Sequence, residues 1–216
     1  MKENKISYEK IRESMPVPQI KEELAPYLVH KKQGEYTIED YYALPDEQRV
    51  ELIDGVIYDM AGPTTLHQGI SDEIRERVSL FIKEKSGKCF AMTSPVDVQL
   101  DCDDRTIVQP DIIVVCNRDK FRKNRIYGVP DYIVEVLSPS TRKKDFYIKT
   151  DKYRKSGVRE YWMVDPEKRR IYVYMFEKDE LPMMYTFEDK VPVGIFEEEC
   201  KIDFAKIYEY VSFLYD

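Results

Sequence analysis

Histidine is nearly absent from this chain: 216 residues include two, His30 and His67. Multi-histidine zinc centres are thereby excluded, and carboxylates must carry any metal. Glycine is scarce too, at eight residues, and neither GxxxxGK nor GxGxxG occurs. The backbone cradles that grip nucleotide phosphates have no counterpart, so no nucleotide cofactor is expected. There is no GxSxG elbow, and a Ser-His-Asp triad would need His67 as its base, which argues against serine hydrolysis. The cysteines Cys89, Cys102, Cys116 and Cys200 include no CxxC pair. Cys116 ends the apolar run DIIVVC and reads as a small buried hydrophobe, so a reduced, cytoplasmic chain is expected. No apolar stretch approaches the roughly 18 residues of a membrane span, and the charged start MKENKISYEKIRES lacks a signal peptide's apolar centre. Neither secretion nor membrane insertion is expected.

A chain of this length suits one domain with an extension and buries a sizeable core unaided. Residues 1–34 mix charges with Pro16, Pro18 and Pro26 and end at Gly34, the composition of a peripheral arm, which leaves residues 35–216 for the domain. The formal charge of -7 sits awkwardly with a polyanionic partner, because nucleic-acid binding relies on basic residues that displace counterions. Its distribution is more informative. Arg118 to Arg159 holds thirteen Lys and Arg against five Asp and Glu, a local +8 that leaves -15 elsewhere. That asymmetry is a candidate electrostatic footprint, although charge runs are more often solvated faces, and FEEECKIDF reads as an acidic tail.

Thr37 and Asp40 form a capping-box pattern for a short helix through TIEDYYAL, ended by Pro45. VELIDGVIYDM places two β-rich runs around Asp54-Gly55, the signature of a tight hairpin. From Leu66 to Lys85, Ile70, Ile74, Val78 and Phe81 recur at helical spacing, and Gly87 closes the helix. SPVDVQL, TIVQPDIIVVC and PDYIVEVLS read as strands of one sheet, DFYIKTDKYRKSG as a helix, and VREYWMVD with RIYVYMF as a strand pair. This order implies an α/β domain with a mixed sheet.

Two acids stand where strands ought to be apolar, Asp111 in IVQPDIIVV and Glu135 in DYIVEVL. Period-two alternation puts Ile133, Glu135 and Leu137 on one face and Tyr132, Val134 and Val136 on the other. If Asp111 faces the same way from a neighbouring strand, carboxylates about 4 Å apart repel by roughly 4 kcal/mol at an effective dielectric near 20. A divalent cation removes that penalty, and such oxygen donors suit magnesium. Asp145, Lys149 and Tyr153, spaced at i, i+4 and i+8, share one helix face behind this strand.

The blocks VQPDIIVV and PDYIVEVLSPSTRKKD, then Lys149, Tyr153 and SGVREYWMVDP, closely resemble the Uma-two restriction endonuclease family. VELIDGVIYDMAG and LHQ extend the likeness over about residues 36–180. The resemblance implies the PD-(D/E)XK nuclease superfamily, with a restriction endonuclease-like core of mixed β-sheet flanked by helices. It also implies hydrolysis of DNA phosphodiesters with Mg2+, for which Mn2+ substitutes. By that resemblance Asp111 is the motif aspartate, Glu135 the motif glutamate, and Glu51 an additional acid that serves as third oxygen ligand or holds a metal-bound water. The pattern's lysine, two residues after the glutamate, is replaced by Leu137, and the family pattern suggests that Lys149 supplies the amine. His67 and Gln68, at the start of the long helix, are accessory candidates beside Asp145 and Tyr153. The alternative is a fold that has lost its chemistry and serves as a DNA-binding or assembly module, which Leu137 permits. A homodimer is expected because cutting two strands with one kind of site favours two-fold symmetry, with YWMVD and RIYVYMF as its tyrosine-rich interface.

Overall fold

The computed structural model describes residues 31–45, 48–178 and 180–215, so most of the expected arm, residues 1–34, lies outside the described residues. Its last residues pack onto the first hairpin: Gly34 N donates to Gly55 O, and Gln33 exchanges hydrogen bonds with the backbone of Ile57. Helix α1 (Ile38–Tyr42) carries the full capping box between Thr37 and Asp40. Strands β1 (Val50–Ile53) and β2 (Val56–Asp59) pair antiparallel around Asp54 and Gly55, with φ of +52° and +78°. Glycine is required there for a second reason: a Cβ on Gly55 would lie 2.6 Å from Gly34 O.

Helix α2 (Thr65–Glu84) begins where Thr64 accepts a hydrogen bond from His67 N. Its buried stripe is Ile70, Ile74, Val78 and Ile82; Phe81, expected in the last place, is only half-buried. The chain then turns through Ser86 at φ +51°, and Gly87 N donates to Ile82 O. A six-stranded sheet follows, containing β3 (Phe90–Thr93), β5 (Ile112–Val115), β7 (Tyr132–Val136), β8 (Glu160–Asp165), β9 (Arg170–Met175) and β10 (Met183–Thr186). The spatial order is β10-β9-β8-β7-β5-β3, with only β7 and β8 parallel. The mixed α/β fold expected from the sequence is the one observed.

SPVDVQL does not join this sheet, contrary to expectation. Pro95 lacks the N–H a ladder needs, and only β4 (Val98–Gln99) is extended, paired in parallel with β6 (Ile126–Tyr127) in a separate two-stranded sheet. The edge of the main sheet is instead FAMT, which pairs with β5.

The alternation along β7 sorts the core as read. Tyr132, Val134 and Val136 pack against α2, against the hairpin of β11 (Lys190–Val193) and β12 (Cys200–Asp203), and against α3 (Phe204–Val211). Ile133 and Leu137 belong to the opposite cluster, with Ile53, Leu100, Val108 and Tyr153. Two expectations are corrected here. Strands β8 and β9 lie inside the sheet, with Tyr161 and Trp162 fully buried, so they are closed to the dimer interface assigned to them. Cys116 is not a free buried thiol: the register Phe90↔Val115 sets it opposite Cys89, and the two form a disulfide.

Candidate active site

The register Ile112↔Val134 sets Asp111, one residue ahead of β5, across from Glu135. The backbone ties them together. Asp111 N donates to Glu135 Oε2 at 3.4 Å, and Val136 N donates to Asp111 Oδ2 at 2.8 Å. Glu135 is buried, and its Oε1 accepts from Lys149 Nζ at 2.8 Å and from Tyr153 OH at 2.7 Å. Burial pushes the Glu135 carboxyl well above its ordinary range; Lys149 opposes this, while Asp111, Asp145 and Glu51 add to it. Lys149 is also buried, a condition that would discharge it, yet Glu135, Glu51 and Asp145 hold its ammonium well above the ordinary lysine value.

Glu51 projects from β1 into the same cluster, but toward the lysines. Its Oε1 accepts from Gln109 N at 3.0 Å and contacts Lys149 Nζ at 2.8 Å, while Oε2 contacts Lys144 Nζ at 3.1 Å. Burial alone would raise this carboxyl; Lys149 and Lys144 outweigh it and bring the pKa to about 2. Asp145, with Oδ1 3.7 Å from Lys149 Nζ, is pushed up to about 6, chiefly by burial, against the pull of Lys149.

The helix that carries these residues departs from the α-helical spacing read in the sequence. Lys144–Lys149 is a π-helical turn, in which Thr150 N reaches Asp145 O, and it continues as a short α-helix over Thr150–Ser156, ended by Gly157 at φ +90°. Five-residue bonding brings Lys144 onto the face of Lys149, so both ammonium groups meet Glu51. Lys144 is the site residue that the sequence did not reveal. Within the basic run Arg142-Lys143-Lys144 it carries no signal, because a π turn has no marker in composition.

His67, in the first turn of α2, places Nε2 3.0 Å from Asp111 Oδ2. Burial lowers its pKa, but the bond to Asp111 more than compensates and the net direction is upward. Gln68 beside it is exposed and lines the cleft wall. The cleft has a volume of about 820 Å3, and all eight sequence candidates line it except Tyr153, which supports Glu135 from beneath.

From Arg142 onward the basic run is largely paired with acids. Arg142 pairs with Asp165 and Glu167, Lys152 with Asp54 and Asp101, Lys155 with Asp151, and Arg159 with Asp131 and Glu177. With Lys144 and Lys149 inside the cluster, the part of the run from Arg142 to Arg159 does not form an exposed basic face.

A mixed sheet that sets carboxylates from two adjacent strands and a helix-borne lysine on the floor of an open cleft defines a restriction endonuclease-like α/β protein. The chain belongs to the Uma2 family, described as "Putative restriction endonuclease", whose family model matches residues 38–196. The match thus runs beyond the blocks legible in the sequence, into the β11 region. Among solved structures the fold is similar to a protein from Anabaena variabilis ATCC 29413, titled a "putative nuclease belonging to DUF820". The TM-score is 0.67 at 21% identity, over 81% of this chain and 98% of that one. No curated protein matches the chain.

Proposed function

We propose that this chain is a divalent-metal-dependent nuclease that hydrolyses DNA phosphodiester bonds. The observation that carries the reading is the pairing of Asp111 with Glu135 across β5 and β7, beside a buried lysine, at the floor of a cleft. Four carboxylates, Glu51, Asp111, Glu135 and Asp145, face two ammonium groups there, a formal excess of two negative charges. A divalent cation fits that excess.

Among the described residues no three His, Cys, Asp or Glu side chains form a ready metal cage. That is compatible with Mg2+, or Mn2+ in its place, which needs only one or two carboxylates and completes its shell with water and phosphate oxygens. Asp111 and Glu135 would hold the ion. Glu51 is better assigned to the lysines: its Oε1 accepts from Gln109 N and pairs with Lys149, while its buried Oε2 accepts no hydrogen bond among the described residues and is in ionic contact with Lys144 at 3.1 Å. When bound, the ion would polarise a phosphate oxygen and acidify water.

The chain's own residues prepare that chemistry. Val136 N and His67 Nε2 fix one oxygen of Asp111, and Tyr153 fixes the rotamer of Glu135. Lys149 sets a positive charge at Glu135, where the extra negative charge of a pentacovalent phosphate would develop. Its reach also answers the departure at Leu137: the amine missing from the strand arrives from the helix. This favours a working centre over a fold that has lost its chemistry.

Incubation of the pure chain with supercoiled plasmid and Mg2+ or Mn2+ tests the reading. Nicking is expected, and Asp111→Asn or Glu135→Gln should each slow it by about 100-fold or more. Plasmid left intact across both ions would overturn it.

A further inference from the structure

An ammonium group has three N–H donors. Those of Lys149 face three acids, with Glu51 Oε1 and Glu135 Oε1 both at 2.8 Å and Asp145 Oδ1 at 3.7 Å. Glu51 and Glu135 take two of these donors, and Asp145 is an ion-pair neighbour beyond hydrogen-bond reach, so Lys149 is committed chiefly to holding the site together.

Lys144 is placed differently. Among the described residues it meets one carboxylate oxygen, Glu51 Oε2 at 3.1 Å, and its Nζ lies 5.6 Å from the centroid of the Tyr58 ring. Its side chain is 5% exposed, yet it forms part of the wall of the same cleft as Asp111 and Glu135. Donors therefore remain on a desolvated cation beside the candidate catalytic carboxylates. Glu51 keeps that cation from swinging away, and the π turn keeps it level with Lys149.

We propose that Lys144 is the substrate-phosphate contact of this site, donating to a non-bridging oxygen of the nucleic-acid backbone, and that Glu51 is the positioning residue that aims both lysines. This rests on the nuclease reading and extends it by assigning different tasks to the two ammonium groups. Lys149 acts on Glu135, whereas Lys144 binds the polyanion. A phosphate contact displaces counterions, so each one adds about 0.9 to the slope of log affinity against log salt on duplex DNA.

The test measures binding of a short fluorescein-labelled DNA duplex by anisotropy across a salt series, without metal, in an Asp111→Asn parent. Lys144→Met in that parent should weaken binding several-fold and lower the salt slope by about 0.9, while Lys144→Arg retains the slope. Lys155→Met, at an exposed lysine already paired with Asp151, should leave the slope as it was. If Lys144→Met does not fold, Lys144→Gln takes its place. An unchanged slope on loss of the Lys144 charge overturns the assignment, as does a parent chain that does not bind the duplex. Plasmid nicking by the unmodified chain with Mn2+ is scored separately, so failure of the nuclease reading is distinguished from failure of the Lys144 contact.

Discussion

Glu51 shows how one residue's surroundings set its task. It is fully buried, yet its pKa lies at about 2, below the ordinary 4.5, because two ammonium groups outweigh desolvation. A depressed carboxyl contributes stability that is complete above its unfolded value and is lost as pH falls toward the folded one. Removing one partner of a buried ion pair costs about 3–5 kcal/mol. Glu51→Gln should therefore lose that much in urea unfolding at pH 7, with the gap to the unmodified chain closing as pH drops from about 4.5 toward about 2. Asp145 has the opposite sign. Its pKa is raised from 3.8 to about 6, so the folded state favours its neutral form and loses stability as pH rises across that interval. Asp145→Asn should remove this loss and, relative to the unmodified chain, gain up to about 3 kcal/mol between pH 4 and 7 in metal-free unfolding. No relative gain over that range would show that Asp145 is already ionised when folded.

At the scale of elements, β7 and the helix after it divide one function between them. Glu135 and Leu137 share a strand face, and both line the cleft, so a lysine at position 137 would also look toward the site. Lys149→Met should abolish nicking, and adding Leu137→Lys should restore part of it at some cost in stability, since Leu137 is 4% exposed. Rates that stay at the Lys149→Met level would show that strand and helix positions are not interchangeable. The π turn is the second device. Tyr147 is exposed, and deleting it would convert Lys144–Lys149 to α-helical spacing with the two lysines four residues apart, which keeps them on one helix face. A variant with an unchanged circular dichroism spectrum and parent-like duplex binding is the expected result; sharply weakened binding would show that the π turn itself, and not the shared face, carries the function.

For the whole molecule, the site depends on a core that closes late in the chain. The hairpin of β11 and β12 and helix α3 place Val191, Ile202, Phe204 and Ile207 in the cluster that backs Val134 and Val136. Glu160, buried in β8, accepts from Gly194 N and Ile195 N and anchors the connection between the two strands of that hairpin. The FEEECKIDF segment is thus no acidic tail; Cys200 and Ile202 alternate inward from it. Truncation after residue 189 should leave the sheet face uncovered, giving a species that binds the dye ANS and unfolds without a cooperative transition. A truncated chain that melts cooperatively and excludes the dye would show the closure to be dispensable.

Periodicity made much of this architecture legible in the sequence. The hairpin at Asp54-Gly55, the stripe of α2 and the two faces of β7 follow from local rules, because φ preference and side-chain alternation act within a few residues. Asp111 and Glu135 stood out for the same reason, as charges breaking apolar runs. Tertiary structure decided the rest. It set β5 beside β7, and so made two isolated acids a pair. It turned Glu51 toward the lysines, paired Arg142, Lys152 and Arg159 with distant acids, and brought Lys144 inward through a π turn. Each of these depends on which segments meet across the fold, and the interaction of two charges is set by their separation in space and their burial, neither of which can be read from positions along a chain.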